Sequence, residues 1–291
     1  MKEQILELEL KNSFELPHIF DCGQCFRWNK QEDGSYTGVF KDNVLNVKKQ
    51  ENIVTFKGIC NGDIKEICRE YFDLDTDYEQ IKKVLSKVDD NLKKSIKYGE
   101  GIRILRQDLW ETIISFIISA NNNIPRIKKI IERISKEYGK KIIWNGNEYY
   151  TFPTAQSLSK ASVEDLRILG LGFRDKRVYE TTRLILSKEI DLEKLQQIQN
   201  SNELREELNK LPGVGDKVAD CIMLFSMRRF DVFPVDVWVR RVMNELYIKN
   251  EDESKVDKKQ IRNLAEEKYG NLAGIAQQYL FYWKREENKT A

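Results

Sequence analysis

Residues 208-LNKLPGVGDKVADC-221 read as a helix ending near Leu211, a Pro-Gly-Val-Gly turn, and a second helix that begins near Asp216 and carries Lys217 on its first turn. Helix, tight turn and helix in this order make a helix-hairpin-helix, spanning about 202–228. Gly213 and Gly215 leave the turn without side chains, so backbone N–H groups and the helix start can come close to a phosphate. Such a turn grips a nucleic-acid backbone and ignores base sequence.

A second stretch, 234-PVDVWVRRVM-243, follows after one helix's length. Asp236 stands where it would N-cap a helix running from Val237 to Leu246. Lys217 has an ordinary reading as one more solvated side chain among 49 Lys+Arg. Its place in a first helical turn, where the macrodipole disfavours a cation, suits a lysine that works as a nucleophile and forms a Schiff base. A carboxylate fixed at a neighbouring helix start would then stabilise positive charge developing in a substrate, and capping is compatible with that work.

Upstream, residues 1 to about 60 alternate with a period of two (Leu6-Leu8-Leu10, Tyr36-Gly38-Phe40, Val44-Asn46-Lys48, Ile53-Thr55-Lys57), with turns at Asp33-Gly34 and Asp42-Asn43. From about residue 64 the period becomes helical. The segments are Asp77–Lys94, Leu109–Ile118, Pro125–Tyr138, Val163–Leu169, Lys176–Lys188, Asn202–Leu211, Asp216–Met227, Asp236–Tyr247, Lys258–Tyr269 and Ala273–Trp283. The pattern predicts an α+β fold, mostly α. An N-terminal antiparallel β-sheet domain (1–98) precedes a helical domain (99–291), whose C-terminal helix packs back on the first. The tail Arg285 to Ala291 is expected to fray.

A hydrophobic share of 41% with 33% charged residues describes a folded globular chain. The net charge of +2 gives no global attraction to nucleic acid, so any such surface is local. Arg126-Lys128-Lys129-Arg133, Arg174-Lys176-Arg177 and Arg240-Arg241 are the candidate patches. Cysteines 22, 25, 60, 68 and 221 make an odd set without disulfide density, which suits a reducing compartment. Cys22-Gly-Gln-Cys25 has CxxC spacing but lacks the second pair or the βαβ context that zinc or redox chemistry needs. No stretch approaches the ~20 apolar residues of a membrane span, and the N-terminus lacks a signal-peptide plan. A monomer in the cytoplasm of a bacterial or archaeal cell, acting on the nucleoid, is the expectation.

The pairing of 211-LPGVGDKVADC-221 with 234-PVDV-237 resembles the helix-hairpin-helix/Gly-Pro-Asp superfamily of DNA glycosylases, and within it the 8-oxoguanine DNA glycosylase/AP lyase branch. The branch rests on further elements in the same order: 22-CGQCFRW-28, 119-SANNNIPRI-127, 169-LGLGFRDKR-177 and 273-AGIAQQYLF-281. The resemblance makes the second domain a helical helix-hairpin-helix glycosylase domain and implies double-stranded DNA containing 8-oxoguanine as partner. Lys217 resembles the nucleophile that attacks C1′, and Asp236 the carboxylate that assists it. Release of the base would leave an imine from which β-elimination nicks the strand.

The target base must leave the duplex to be reached. Gly23 resembles the glycine whose carbonyl accepts from N7–H, the hydrogen that separates 8-oxoguanine from guanine. Gln277 resembles the glutamine that reads the pairing edge, and Phe281 and Cys221 the walls of the stacking slot. Each has a bland alternative, as turn glycine or core residue. Asn121, otherwise a helix-terminal loop residue, resembles the side chain that fills the vacated space. Arg126 and Arg174 resemble the arginines that read the orphaned cytosine, and Phe173 a wedge in the opposite strand. A monovalent cation on the carbonyls of Asn209, Leu211 and Val214 is implied as well. No other cofactor is expected. The four-cysteine iron–sulfur cluster of some relatives is excluded, since no cysteine follows Cys221.

Two positions depart from the pattern. Phe173 stands where the family usually has tyrosine, which keeps the wedge, removes a hydroxyl and predicts weaker discrimination for cytosine. Trp238 stands where a histidine is usual; its indole N–H can still donate one hydrogen bond to a phosphate. The one histidine, His18, lies far away in sequence, and no histidine catalysis is expected. Two other functions share parts of this pattern. An alkylpurine glycosylase would use the hairpin and Asp236 but not Lys217, and a non-catalytic DNA-binding protein would need neither Gln277, Phe281 nor Gly23.

Overall fold

A computed structural model of the chain describes residues 2–10 and 13–290, the last two without their side chains. The alternating N-terminal segments form a five-stranded antiparallel sheet. Its elements are β1 (Lys2–Glu9), a short helix α1 (Leu16–Phe20), then β2 (Trp28–Lys30), β3 (Tyr36–Phe40), β4 (Asn43–Gln50) and β5 (Ile53–Cys60). The spatial order β1-β5-β4-β3-β2 puts the first strand beside the last. Helix α2 (Ile64–Tyr71) covers one face, burying Ile64, Cys68 and Tyr71, which recur at helical spacing. An aromatic core fills the space between them, with Phe20 stacked on Trp28 at 4.2 Å and the indole N–H of Trp28 donating to the Tyr71 hydroxyl at 2.9 Å.

The remaining chain is helical: α3 (Tyr78–Leu85), α4 (Asp90–Tyr98), α5 (Leu109–Ser119) and α6 (Ile124–Tyr138) precede a hairpin of β6 (Lys141–Trp144) and β7 (Asn147–Tyr150). Then follow α7 (Ala155–Leu158), α8 (Val163–Ile168), α9 (Asp175–Leu186), α10 (Leu192–Gln197), α11 (Ser201–Leu208), α12 (Asp216–Met227), α13 (Val237–Met243), α14 (Lys258–Tyr269) and α15 (Ala273–Thr290). Helix α5 is apolar all round and forms the axis of this half, buried against α6 and α12. Among the described residues no helix is long and apolar enough to cross a membrane.

Four expectations change. The single helix expected over Asp77–Lys94 is two helices, because Asp77 and Asp89 each cap a helix start, accepting from the N–H of Gln80 and of Leu92 at 2.9 Å. The β6–β7 hairpin was not anticipated; its Asn145-Gly146 turn has φ of 49° and 74°, the left-handed pair that an Asn-Gly loop favours. Packing does not divide at residue 98. Tyr78, Leu85, Leu92 and Ile96 belong to the helical core, as do Cys22 and Phe26, whereas Cys25 and Trp28 belong to the sheet core. Segment 22–28 is therefore the seam between the two cores. Finally, the tail does not fray at Arg285. Helix α15 continues to Thr290, since Lys284 pairs with Glu245 at 2.8 Å and Glu287 at 2.6 Å, and Arg285 with Glu286 at 3.0 Å. Ala291 lies outside the described residues.

The helix-hairpin-helix is α11, the turn Asn209–Gly215, and α12. Arg205 on α11 holds Asp220 on α12 through a 2.7 Å bond that is buried on the Asp220 side. Near the turn, Asn209 donates to Asp216 at 2.9 Å, and Arg262 of α14 pairs with the same carboxylate at 2.9 Å. Burial pushes the Asp220 carboxyl up to about 6 against the pull of Arg205. A carboxyl whose folded value exceeds its ordinary 3.8 binds protons better when folded, so stability falls as pH rises between about 4 and 6. Urea unfolding across that window should show wild type losing up to ~3 kcal/mol relative to Asp220→Asn, which keeps a hydrogen bond to Arg205 and does not titrate. Parallel pH dependences would refute this.

Candidate active site

The turn that starts α12 is open on one side only. Gly215 caps the helix, and a Cβ added there would meet nothing within 4 Å. Gly213 has φ +85°, and a Cβ there would lie 2.5 Å from Cδ of Arg177, which crosses the turn from α9. The N–H groups of the first turn of α12 thus face an unobstructed surface, as an anion site requires.

Lys217 and Cys221 lie one helical turn apart on α12. The lysine Nζ sits 5.5 Å from the ring centroid of Phe116 on α5. That ring is stacked on Phe225 at 5.6 Å and meets Phe26 edge-on at 5.5 Å. Asp236 caps α13, its Oδ1 accepting from the Val239 N–H at 2.7 Å. Burial pushes the Cys221 thiol up to about 11, with Lys217 pulling it down and Asp236 pushing it up. Lys217 and Asp236, placed by two successive helices, thus both act on the Cys221 thiol, as does Asp220.

Gly23 lies opposite, on the seam. Its φ of +88° is a conformation that side chains with a Cβ rarely adopt. A Cβ there would stand 3.6 Å from the Phe281 ring edge and 3.4 Å from Nη1 of Arg285. The next residue holds the loop. The fully buried Gln24 side chain donates to the carbonyls of Ile19 and Arg103 at 2.8 Å each and accepts from the Leu105 N–H at 2.8 Å. Gln277 and Phe281 are a turn apart on α15. The Gln277 amide oxygen accepts from Gln278 at 2.8 Å. Gln277 and Cys221 are each only 4% exposed. Cys22 and Cys25 are free, buried thiols.

The three asparagines have three tasks. Asn122 donates to the Ile118 carbonyl at the end of α5 at 3.1 Å, and Asn123 caps α6 through the Arg126 N–H at 3.0 Å. Asn121 is exposed and has φ +50°, a conformation asparagine tolerates. Arg174 departs from its expected role in this state. Its guanidinium is buried and spent on the protein, with Nε and Nη2 donating to Ala120 O at 2.8 and 2.6 Å, Nη2 to Asn121 O at 2.7 Å and Nη1 to Leu171 O at 3.2 Å. It props the Asn121 loop, and an opposite base could reach it only after those bonds open. Arg126 is exposed, its Nη2 3.4 Å from Gly170 O. Phe173 is 55% exposed, with the guanidinium carbons of Arg174 and Arg177 at 4.2 and 5.2 Å from its ring. The Trp238 indole N–H is buried without a partner among the described residues. His18 serves the fold: its Nδ1 accepts from the Gly101 N–H at 3.1 Å.

Set on this frame, the chain has relatives along nearly its whole length. The family described as "8-oxoguanine DNA glycosylase, N-terminal domain" matches residues 7–113, and "HhH-GPD superfamily base excision DNA repair protein" matches residues 114–270. The chain belongs to the 8-oxoguanine DNA glycosylase family. The 8-oxoguanine glycosylase/lyase of Clostridium acetobutylicum in its apo form is 48% identical, with a TM-score of 0.90 over 97% of each chain. The same enzyme in complex with double-stranded DNA containing cytosine opposite 8-oxoguanine is 47% identical, with a TM-score of 0.91 over 98% of each chain. The N-glycosylase/DNA lyase of Arabidopsis thaliana is 30% identical over 290 residues, 94% of this chain and 78% of its own length.

Three residues of this glycosylase that join the site were not singled out in the sequence: Gln24, Phe116 and Arg285. Phe116 is indistinguishable from its apolar neighbours on α5, and Gln24 is one polar residue in a loop. Gln24→Leu leaves two carbonyls and one N–H buried without their partner, and should lower the unfolding free energy by about 3 kcal/mol in denaturant titration. A loss under ~1 kcal/mol would show that water or a shifted backbone replaces the amide.

Proposed function

We propose that this chain is a bifunctional base-excision-repair enzyme that removes 8-oxoguanine from duplex DNA and nicks the strand at the resulting site. Lys217 and Cys221 one turn apart on α12, behind an open phosphate-gripping turn and with Asp236 capping the next helix, carry the reading. Agreement with glycosylase/lyases over nearly the whole chain supports it. The turn holds the backbone of the damaged strand while the lesion swings between Cys221 and Phe281, with the Gly23 carbonyl accepting from N7–H and Gln277 reading the pairing edge. Asn121 fills the gap, Arg126 and the wedge Phe173 meet the opposite strand, and Arg174 joins them once its own bonds open. The unpartnered Trp238 N–H suits a DNA phosphate.

The Lys217 nitrogen lone pair attacks C1′ and the C1′–N9 bond breaks, its electron pair leaving with the base, which takes up the proton the new C1′ ammonium sheds. Asp236 keeps one carboxylate oxygen beyond its cap bond, and that charge stabilises the cationic sugar as the bond lengthens. Opening of the C1′–O4′ bond gives a protonated imine. Loss of a C2′ proton then expels the 3′ phosphate as C3′–O3′ breaks, and hydrolysis of the unsaturated imine frees Lys217.

The backbone carbonyls of Asn209, Leu211 and Val214 suit a monovalent cation. They are uncharged oxygens in one tight turn, and Leu211 O keeps a lone pair after accepting from the Val214 N–H at 3.0 Å. Bound there, the ion would add charge to the phosphate grip. Since one chain supplies every site residue, the enzyme works as a monomer. Its five buried free thiols suit the cytoplasm, with the nucleoid as its substrate.

The first test is borohydride trapping on duplexes containing 8-oxoguanine, 3-methyladenine or guanine. Wild type should give an adduct with 8-oxoguanine only, Lys217→Gln none while still binding DNA; normal turnover by the variant would remove Lys217 from the mechanism. Asn caps a helix as well as Asp does, so Asp236→Asn should keep the melting temperature and lower kcat about 100-fold or more. Equal losses of both would make Asp236 a structural residue. Phe173→Tyr should raise the preference for cytosine opposite the lesion, read as the ratio of excision rates across the four partner bases, and an unchanged ratio would exclude that role.

A further inference from the structure

Helix α15 presents Gln277, Phe281 and Arg285 at i, i+4 and i+8, so a third side chain continues the line toward the seam. Arg285 is 84% buried by its neighbours, its side chain being 16% exposed. Its guanidinium carbon lies 5.2 Å from the Phe281 ring centroid. Nη2 is bonded to the Asp21 carbonyl, two residues before Gly23, and to Glu286 at 3.0 Å, and Nε donates to Glu286 at 3.1 Å. Nη1 is different: it is buried, has no hydrogen-bond partner among the described residues, and lies 3.4 Å from where a Gly23 Cβ would be. A buried guanidinium donor left unmatched is unfavourable by an amount that one well-placed acceptor removes.

We infer that Arg285 is a specificity-determining residue whose Nη1 donates to the oxygen on C8 of the extruded base. The inference rests on the substrate and pocket proposed above. If the Gly23 carbonyl accepts from N7–H, the atom bonded to C8 lies beside it, on the side where Nη1 and the Phe281 edge flank Gly23. In the lesion that atom is a carbonyl oxygen. In guanine it is a hydrogen, which leaves the donor desolvated and unpaired, and sites built around a buried hydrogen bond reject the analogue that lacks it far more strongly than apolar sites do. Gly23 would thus test the added proton and Arg285 the added oxygen. The arginine fork permits this because two of its nitrogens are fixed on Asp21 and Glu286 while the third stays free.

The test is single-turnover excision from duplexes carrying 8-oxoguanine or 8-thioguanine, which share the pairing edge and N7–H but offer oxygen or the poorer acceptor sulfur at C8. Nicking of a preformed abasic site is followed in parallel. Arg285→Met, which keeps packing on Phe281, should lose about 10- to 100-fold on 8-oxoguanine. Its oxygen-to-sulfur preference should fall toward one while abasic-site nicking is unchanged, and Arg285→Lys should recover part of the preference. An unchanged preference, whether rates stay the same or fall together, would overturn the inference and leave Arg285 as a clamp on the Asp21–Gly23 loop. Absence of excision and trapping by wild type would instead sink the proposed function itself.

Discussion

A single buried carboxamide, that of Gln24, fastens the two halves of this protein to each other at the place where the pocket begins. Its donors reach Ile19, at the end of α1, and Arg103, in the extended segment leading to α5, while its acceptor takes the N–H of Leu105. The backbone carbonyl of the same residue accepts from the Gln107 side chain at 2.7 Å. The amide replaces sheet pairing between two segments that belong to no sheet, and in a dry interior each such bond constrains direction as well as distance. Gly23 inherits its position from that lock. Helix α15 is set against the same region through Tyr282, 5.2 Å from His18, and Arg285 on Asp21, while α4, α13 and α14 hold it from other sides.

Around that fixed point, some polar groups are met within the fold and others are not. Asp216 and Asn123 are bonded within the fold. The Trp238 N–H and one nitrogen of Arg285 are not, and Asn121 projects from a left-handed turn. Arg174 sits between the two classes, its donors occupied by the loop that carries Asn121.

Much of this was readable in the sequence. The change from a period of two to a helical period separated sheet from helices, and the Pro-Gly-Val-Gly turn placed Lys217 on the first turn of α12, where the structure has it. Asp236 was legible because capping is a local property of a few consecutive residues. What escaped depends on long-range placement or on competing local signals. The run 86-SKVDDNLKK-94 reads as continuous helix unless Asp89 is recognised as a cap. Asn145-Gly146 was a hairpin signal passed over between longer helices. The stretch 284-KREENK-289 has the composition of a solvated tail, and only the partners brought by folding make Arg285 part of the pocket. Whether the guanidinium of Arg174 reaches outward or turns back onto its own backbone is likewise invisible in one dimension.

The burial of Cys221 has a chemical consequence for where such an enzyme must operate. 8-Oxoguanine arises under oxidising stress, conditions in which exposed thiolates are converted to sulfenic acid and beyond. The reactive species is the anion, and burial holds Cys221 near 11 and Cys22 near 11, so both remain protonated at neutral pH. Two buried cysteines are thereby kept from becoming casualties of the oxidant that makes 8-oxoguanine.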